Sequence, residues 1–158
     1  MTASLFLRER LAIFLLLAGC SVGGGDAQRL GTAFCAAVVA HDESAATALM
    51  TPAVQAQIRS LRAFDADFRR QRPGDKPPLG DGLRLTAFPD AVTGCRVTTE
   101  NPLQIVLHYA PAGAPNDGWR DRLLLVKSAD GRLQIGDIAF GSDNRVRLRG
   151  WLAESMVG

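Results

Sequence analysis

The sequence contains few of the residues from which metal and redox sites are built. Its 158 residues include 2 histidines, 3 cysteines and 1 tyrosine. The histidines, His41 and His108, are widely separated and have no carboxylate at metal-ligand spacing, whereas a zinc site draws on several histidines or cysteines. No Cys-x-x-Cys pair is present, which argues against a redox centre. We therefore expect neither a metal site nor a cofactor.

The chain also lacks a strong charge of either sign and a long apolar run. Lysine and arginine number 18 and aspartate and glutamate 16, which leaves a formal net charge of +2. This balance gives no excess of basic charge for binding nucleic acid, so no nucleic-acid partner is expected. A spanning helix needs about 20 consecutive apolar residues, and the uncharged apolar run at residues 11–18 is less than half as long.

The N-terminus has the three zones of an export signal in the expected order. Arg8 and Arg10 precede the apolar run, and small residues follow it. Residues 17–20, Leu-Ala-Gly-Cys, resemble the lipobox of bacterial lipoproteins. This resemblance implies that residues 1–19 are removed and that a palmitate-bearing diacylglycerol is attached to the sulfur of Cys20. The alternative is an ordinary secreted or membrane-anchored protein with a chance cysteine at this position.

The lipobox resemblance also implies a location. An acylated Cys20 holds the protein at a lipid bilayer of the cell envelope, because buried acyl chains provide the anchoring energy. Ser21 is similar to the residue that follows the cysteine in outer-membrane lipoproteins. We therefore expect an outer-membrane anchor facing the periplasm, a flexible tether at residues 20–26, and a single domain at residues 27–158.

Two cysteines remain once Cys20 carries lipid. Because the periplasm is oxidising, Cys35 and Cys95 predict one disulfide. Closing a loop of about 60 residues stabilises a domain by roughly 4 kcal/mol on the chain-entropy model. Two separate buried thiols are the alternative, since a sequence does not give the distance between them.

Residues 27–71 have the apolar spacing of helices. Asp26 is placed to cap a first helix that ends near His41, and residues 44–50 favour a short second helix. Thr51 and Pro52 are typical of a helix start, with an N-cap hydroxyl and then proline. The third helix has one apolar face, formed by Val54, Ile58, Leu61, Phe64 and Phe68; off that face lie Arg59, Arg62, Asp65 and Arg69.

After an exposed loop at residues 72–82, the pattern changes to that of strands. Residues 83–88 predict a weak strand, and stronger ones are expected at residues 95–100, 103–109, 122–127 and 133–140. Asp130 and Gly131 favour a hairpin turn before the last of these. Residues 146–152 fit either a closing strand or a short helix. Helices followed by a strand meander predict an α+β fold, with the helices on one face of a curved antiparallel sheet.

This order of elements resembles the nuclear-transport-factor-2-like (cystatin-like) cone fold, as do residues 131–138 and the region of residues 34–49. The resemblance implies a cone-shaped domain like those of small bacterial lipoproteins and other exported domains. That fold carries isomerases, dehydratases and plain binding modules, so it fixes no function. Its isomerases combine an acidic base with a tyrosine-containing oxyanion site inside the cone.

Three residues are weak catalytic candidates by this resemblance. Tyr109 and His108 are neighbours on a strand, so only one of them can face a cavity. Asp137 lies two residues after Ile135 and four after Leu133, so strand alternation puts it on their face and predicts an inward or edge position. A buried acid there has a raised pKa and can act as a base; a salt bridge or a turn cap is the alternative. Trp119, at the edge of a loop, predicts either a partner contact or a lid over the core.

These observations leave three hypotheses for function. The first is a non-enzymatic envelope lipoprotein whose domain binds a small apolar ligand or a protein partner. The second is an enzyme of the isomerase or dehydratase type, which requires Asp137 or His108 inside a pocket. The third is an immunity or inhibitor lipoprotein that masks a toxin in the periplasm.

Overall fold

The computed structural model describes residues 24–80, 82–89, 92–111, 113 and 118–157. The predicted export signal and Cys20 lie outside these residues. The elements, in chain order, are α1 (Gly24–Val39), α2 (Glu43–Ala48), α3 (Pro52–Gln71), β1 (Val92–Asn101), β2 (Gln104–Pro111), β3 (Arg120–Lys127), β4 (Leu133–Phe140), β5 (Val146–Arg147) and α4 (Leu148–Glu154). The predicted α+β class is confirmed. Within this part of the chain, no helix is both long and apolar enough to cross a bilayer.

The strands form one antiparallel sheet in the order β1-β2-β3-β4-β5. Each strand pairs with its neighbours in sequence, as in an antiparallel meander. The core lies between the helices and one face of this sheet. Its largest fully buried side chains include Phe34, Met50, Ile58, Leu107 and Ile138.

Helix α1 lies antiparallel to β1 and very close to it. Near the helix start, the Thr99 hydroxyl donates a hydrogen bond of 2.9 Å to the side-chain oxygen of Gln28. In the middle, a Cβ added to Gly31 would lie 2.9 Å from a methyl carbon of Val97. Near the helix end, Cys35 and Cys95 form the predicted disulfide, with their Cα atoms 5.7 Å apart.

The two following helices begin with side-chain caps. The Asp42 carboxylate accepts a hydrogen bond of 2.9 Å from the backbone N–H of Ala45 at the start of α2. Thr51 caps α3 as predicted, since its hydroxyl accepts from the N–H of Val54 at 3.4 Å. Between these helices, the N–H of Thr51 donates to the carbonyl of Ile135 at 2.9 Å. This bond joins the helical layer to the edge of β4.

Several expectations about element bounds are wrong. Helix α1 begins at Gly24, so Gly24 and Gly25 are helical rather than part of a tether, and Asp26 lies in the first turn instead of capping it. Residues 83–88 form no strand; the N–H groups of Leu83 and Ala87 donate to side chains of other elements instead. Residues 146–152 combine both alternatives, with strand β5 leading directly into α4.

Replacing Gly31 with alanine should destabilise the domain. The new methyl group would overlap Val97 and Ile105, and overpacking of this kind outweighs the better helix propensity of alanine, so we expect a loss of about 1–2 kcal/mol. The measurement is the free energy of unfolding in urea. Gly150→Ala is the matched control, because a Cβ there meets nothing within 4 Å, and it should stabilise by about 0.5 kcal/mol. Equal stabilisation by both variants would contradict the close approach.

Candidate binding cleft

A cleft of about 450 Å³ opens where the end of α1 meets the irregular segment formed by residues 76–80 and 82–89. Apolar side chains form its floor: Ala37, Val38, Leu79, Leu83 and Leu85. Polar and charged residues complete its lining and rim: His41, Asp42, Glu43, Lys76 and Arg84. An apolar pocket with a few polar groups at its mouth is the usual arrangement of a small-molecule site.

The helix-side wall is shaped by the way α1 ends. His41 has a φ of 53°, the left-handed conformation that commonly terminates helices. The N–H of Asp42 donates to the carbonyl of Ala37 at 2.9 Å, and the N–H of His41 donates to that of Val38 at 3.1 Å. These two bonds form a Schellman motif, which turns the chain sharply into α2 and places His41 and Asp42 at the rim. His41 therefore has the helix-terminal role expected for it.

The opposite wall is held by three carboxylates from three different elements. Their backbone partners are four residues apart: Leu79 donates to Asp65 at 2.9 Å, Leu83 to Glu43 at 3.1 Å, and Ala87 to Asp121 at 3.0 Å. These side chains supply the acceptors that a neighbouring strand would provide in a sheet. Residues 79, 83 and 87 are therefore held against the domain although they pair with no strand.

Asp65 is buried, although the sequence pattern placed it off the apolar face of α3. Its second oxygen accepts a hydrogen bond of 2.7 Å from Arg69, which also reaches the carbonyl of Gly80 at 3.3 Å. Burial alone raises the pKa of Asp65, but the hydrogen bonds from Arg69 and Leu79 and the charge of Arg69 outweigh it, so this pKa lies below its usual value. The pair fixes the loop that carries Leu79.

A buried polar cluster lies beneath the cleft at Thr86. The indole N–H of Trp119 donates to the Thr86 hydroxyl at 2.8 Å. The ring of Trp119 stacks on Tyr109, with centroids 5.3 Å apart, and meets Phe88 edge-on at 5.2 Å. Trp119 is thus a lid over the core of its own domain, one of the two roles considered for it.

Asp121 is the acid at the centre of this cluster, and it is 1 % exposed. Besides Ala87, it accepts a hydrogen bond of 2.8 Å from the N–H of Gly141. Burial raises the pKa of Asp121, opposed by its hydrogen bonds and by the nearby charge of Arg84. Burial and the charge of Asp121 raise the pKa of Tyr109. The Tyr109 hydroxyl is enclosed beside these groups without a well-formed hydrogen bond.

The weak catalytic candidates do not meet in one site. Tyr109 faces the core, whereas His108 lies on the other face of the sheet, in register with Arg96 and Arg120. Partial burial and the charges of these two arginines lower the pKa of His108. Neither His108 nor Asp137 lines the cleft.

Asp137 does not have the inward position that its parity predicts. A β-bulge lies between the pairs Leu125–Ile135 and Leu124–Asp137, so Asp137 shares the face of Leu124 rather than that of Ile135. Its carboxylate accepts a hydrogen bond of 3.1 Å from the N–H of Arg149 in the first turn of α4. The turn-cap alternative is therefore the one found.

Sequence reasoning missed Asp121, although the signal was present. Asp121 has the parity of Leu123 and Leu125 on β3, and both leucines are buried. An acid on the inward face of a strand predicts a buried polar contact. Across the described ranges, no three His, Cys, Asp or Glu side chains are arranged to hold a metal ion.

Replacing Asp65 with asparagine should weaken the domain above pH 4 and much less below it. Because folding lowers the pKa of Asp65, its stabilising effect is complete above the unfolded-state pKa of about 3.9 and disappears as the pH falls through the folded-state value. We expect a loss of about 1.5–3 kcal/mol at pH 7, measured by urea unfolding from pH 2 to 7.

Asp67→Asn is the matched control for this experiment. Asp67 lies on the same helix and pairs with Arg70, but its side chain is 56 % exposed, and exposed pairs contribute about 0–1 kcal/mol. An Asp65→Asn effect that does not change with pH, or that is no larger than the control, would show that the charge of Asp65 does not hold the loop.

The cleft thus has an apolar floor, a charged rim, and a wall held by carboxylates. Its floor rests on a cluster whose acid and tyrosine are almost fully enclosed. Comparison of the chain with protein-family models, with curated proteins and with solved structures finds no match.

Proposed function

We propose that this protein is an envelope lipoprotein with a non-enzymatic binding domain. Acylated Cys20 anchors it in the outer membrane, with the domain facing the periplasm. The proposal draws support from the lipobox at residues 17–20 and from Ser21. The disulfide between Cys35 and Cys95 is consistent with an oxidising compartment.

The fold proposed for the domain is the cystatin-like cone. A five-stranded antiparallel meander with α1 packed against its first strands supports this assignment. In a cone of this kind, ligands enter at an open end between the helices and the sheet. The cleft between the end of α1 and residues 76–80 and 82–89 supports an opening of this kind.

The observation that carries the binding function is the cleft itself. Its volume of about 450 Å³ falls within the range of roughly 300–1,000 Å³ for small-molecule sites. Val38 and Leu85 offer apolar contacts, while Lys76 brings a cation to the lining; the guanidinium of Arg84 lies over the ring of Phe140. A small ligand with an apolar body and a polar end at the rim suits this lining.

The positions of the ionisable groups favour binding over catalysis. An isomerase-type mechanism needs an acid that reaches a substrate, yet Asp137 caps α4 and His108 lies on the far face of the sheet. Asp121, the acid of the polar cluster at Thr86, is 1 % exposed and accepts hydrogen bonds from two backbone N–H groups. Its surroundings suit a structural role that holds residue 87 in place.

The lipid anchor is tested by metabolic labelling. Cells that express the full chain and are fed labelled palmitate should yield a labelled protein that begins at residue 20. Cys20→Ser should take up no label and should retain residues 1–19, since the acyl transfer needs the thiol. A wild-type product that is unlabelled and still begins at Met1 would refute the lipoprotein assignment.

The cleft is tested by filling it. Pro78→Trp places an indole at a half-buried position of the lining, and should weaken binding of a co-purified small molecule by about tenfold or more. The bound molecule is detected by native mass spectrometry of the protein purified from envelopes. Pro73→Trp, in the exposed part of the same loop, is the matched control and should leave binding unchanged.

Two results would contradict a small-molecule role. One is a co-purified molecule that remains equally bound to the Pro78→Trp variant. The other is a reproducible protein partner, captured by crosslinking in intact cells, that occupies this cleft; a toxin found there would support the inhibitor hypothesis instead.

A further inference from the structure

The start of α1 lies beside the hairpin that joins β1 to β2. Gln28 bonds to Thr99 near the end of β1, and Cys35 is joined to Cys95 further back along that strand. The first residue of the helix, Gly24, is therefore at the same end of the domain as the turn between Asn101 and Gln104. We call this the hairpin end; it also includes the turn between Lys127 and Leu133.

The chain between the proposed lipid and the helix is short. Four residue steps separate Cys20 from Gly24, and a chain spans at most about 3.5 Å per residue, so these two residues are no more than about 14 Å apart. A domain of this size cannot turn its opposite end to a bilayer on such a short connection.

The surface of the hairpin end suits contact with lipid. Leu103 is 47 % exposed and Val126 is 42 % exposed. Leu103 lies opposite Leu125, whose N–H donates to its carbonyl at 2.8 Å. Val126 is the next residue on β3 and faces away from the core, on the side of the sheet opposite to that of Leu125. Lys127 follows on the same strand and is exposed. Apolar side chains with a lysine beside them are typical of surfaces that enter the headgroup region.

The acidic side chains near this end are paired with arginines, so the surface there has little net negative charge. Asp26 is paired with Arg29, Glu100 with Arg122 at 3.0 Å, and Asp130 with Arg132 at 2.6 Å. Each carboxylate is thus neutralised by an adjacent arginine. Anionic lipids would not be repelled from this surface.

The cleft is at the other end of the helix. Ala37 and Val38, which form part of its floor, lie 13 or more residues after Gly24, and at 1.5 Å per residue this is about 20 Å. The direction of α1 therefore separates the anchored end from the binding site.

We propose that the hairpin end lies on the bilayer, with Leu103 in the lipid headgroup region, and that the cleft opens away from the membrane. This orientation rests on the proposed acylation of Cys20. It means that the cleft receives ligands from the periplasm and not from the bilayer that holds the protein.

The orientation is tested with a tryptophan placed at either end. Leu103→Trp probes the hairpin end. Val146→Trp is the matched control, because Val146 is 43 % exposed and pairs with Phe140 at the far end of β4. The acylated full chain is purified from membranes and reconstituted into vesicles of phosphatidylcholine and phosphatidylglycerol, with and without brominated acyl chains. For each variant, the fluorescence in excess of the wild-type protein is compared between vesicles with and without brominated chains.

Brominated lipid should quench the added fluorescence of Leu103→Trp by about twofold, because surface-bound apolar groups reach roughly 5–10 Å into the bilayer boundary. It should leave that of Val146→Trp unchanged. Amide hydrogen exchange of the wild type provides a measurement without substitution: residues 101–104 should be protected on vesicles relative to the same acylated protein in detergent micelles, and residues 141–146 should not.

The outcomes separate the two proposals. Suppose the acylated protein floats with vesicles, but quenching is seen only at residue 146, at both positions or at neither position. Any of these results would overturn the orientation and leave the anchor intact. A protein that carries no acyl group by mass spectrometry and does not float would overturn the lipoprotein assignment, and the orientation with it.

Discussion

The close antiparallel contact between α1 and β1 is the constraint on which the rest of the structure depends. It requires a residue without a side chain at Gly31, where any Cβ would overlap Val97 and Ile105. One helical turn later, the covalent link from Cys35 to Cys95 prevents the two elements from separating. Because α1 is held at this depth and in this direction, its last turn reaches the segment of residues 76–89 and forms the cleft with it.

The second organising feature is the use of carboxylates in place of strand pairing. Residues 79, 83 and 87 donate their N–H groups to Asp65, Glu43 and Asp121, which come from α3, α2 and β3. A buried N–H without an acceptor is costly, so these acids allow an irregular chain to lie against the core.

Sequence patterns predicted the architecture better than the site. Some features are determined by one or two residues that can be recognised in the sequence. Examples are the Thr51-Pro52 helix start, the Asp130-Gly131 turn and the cysteine pair of the disulfide. The bulge at Gly136 reversed the parity that Asp137 appeared to have, and no local rule marks such an insertion. The roles of Gly31 and Asp65 depend on residues from distant parts of the chain that pack against them. The periodicity along one helix carries no information about those contacts.

The wall held by Asp65, Glu43 and Asp121 has a consequence for how this domain can change over evolutionary time. Strand residues must alternate between two faces and match the spacing of a neighbour, but a segment tied at three separate points has no such requirement between them. Insertions or substitutions there reshape the cleft while leaving the hydrogen-bonded ladder of the sheet untouched.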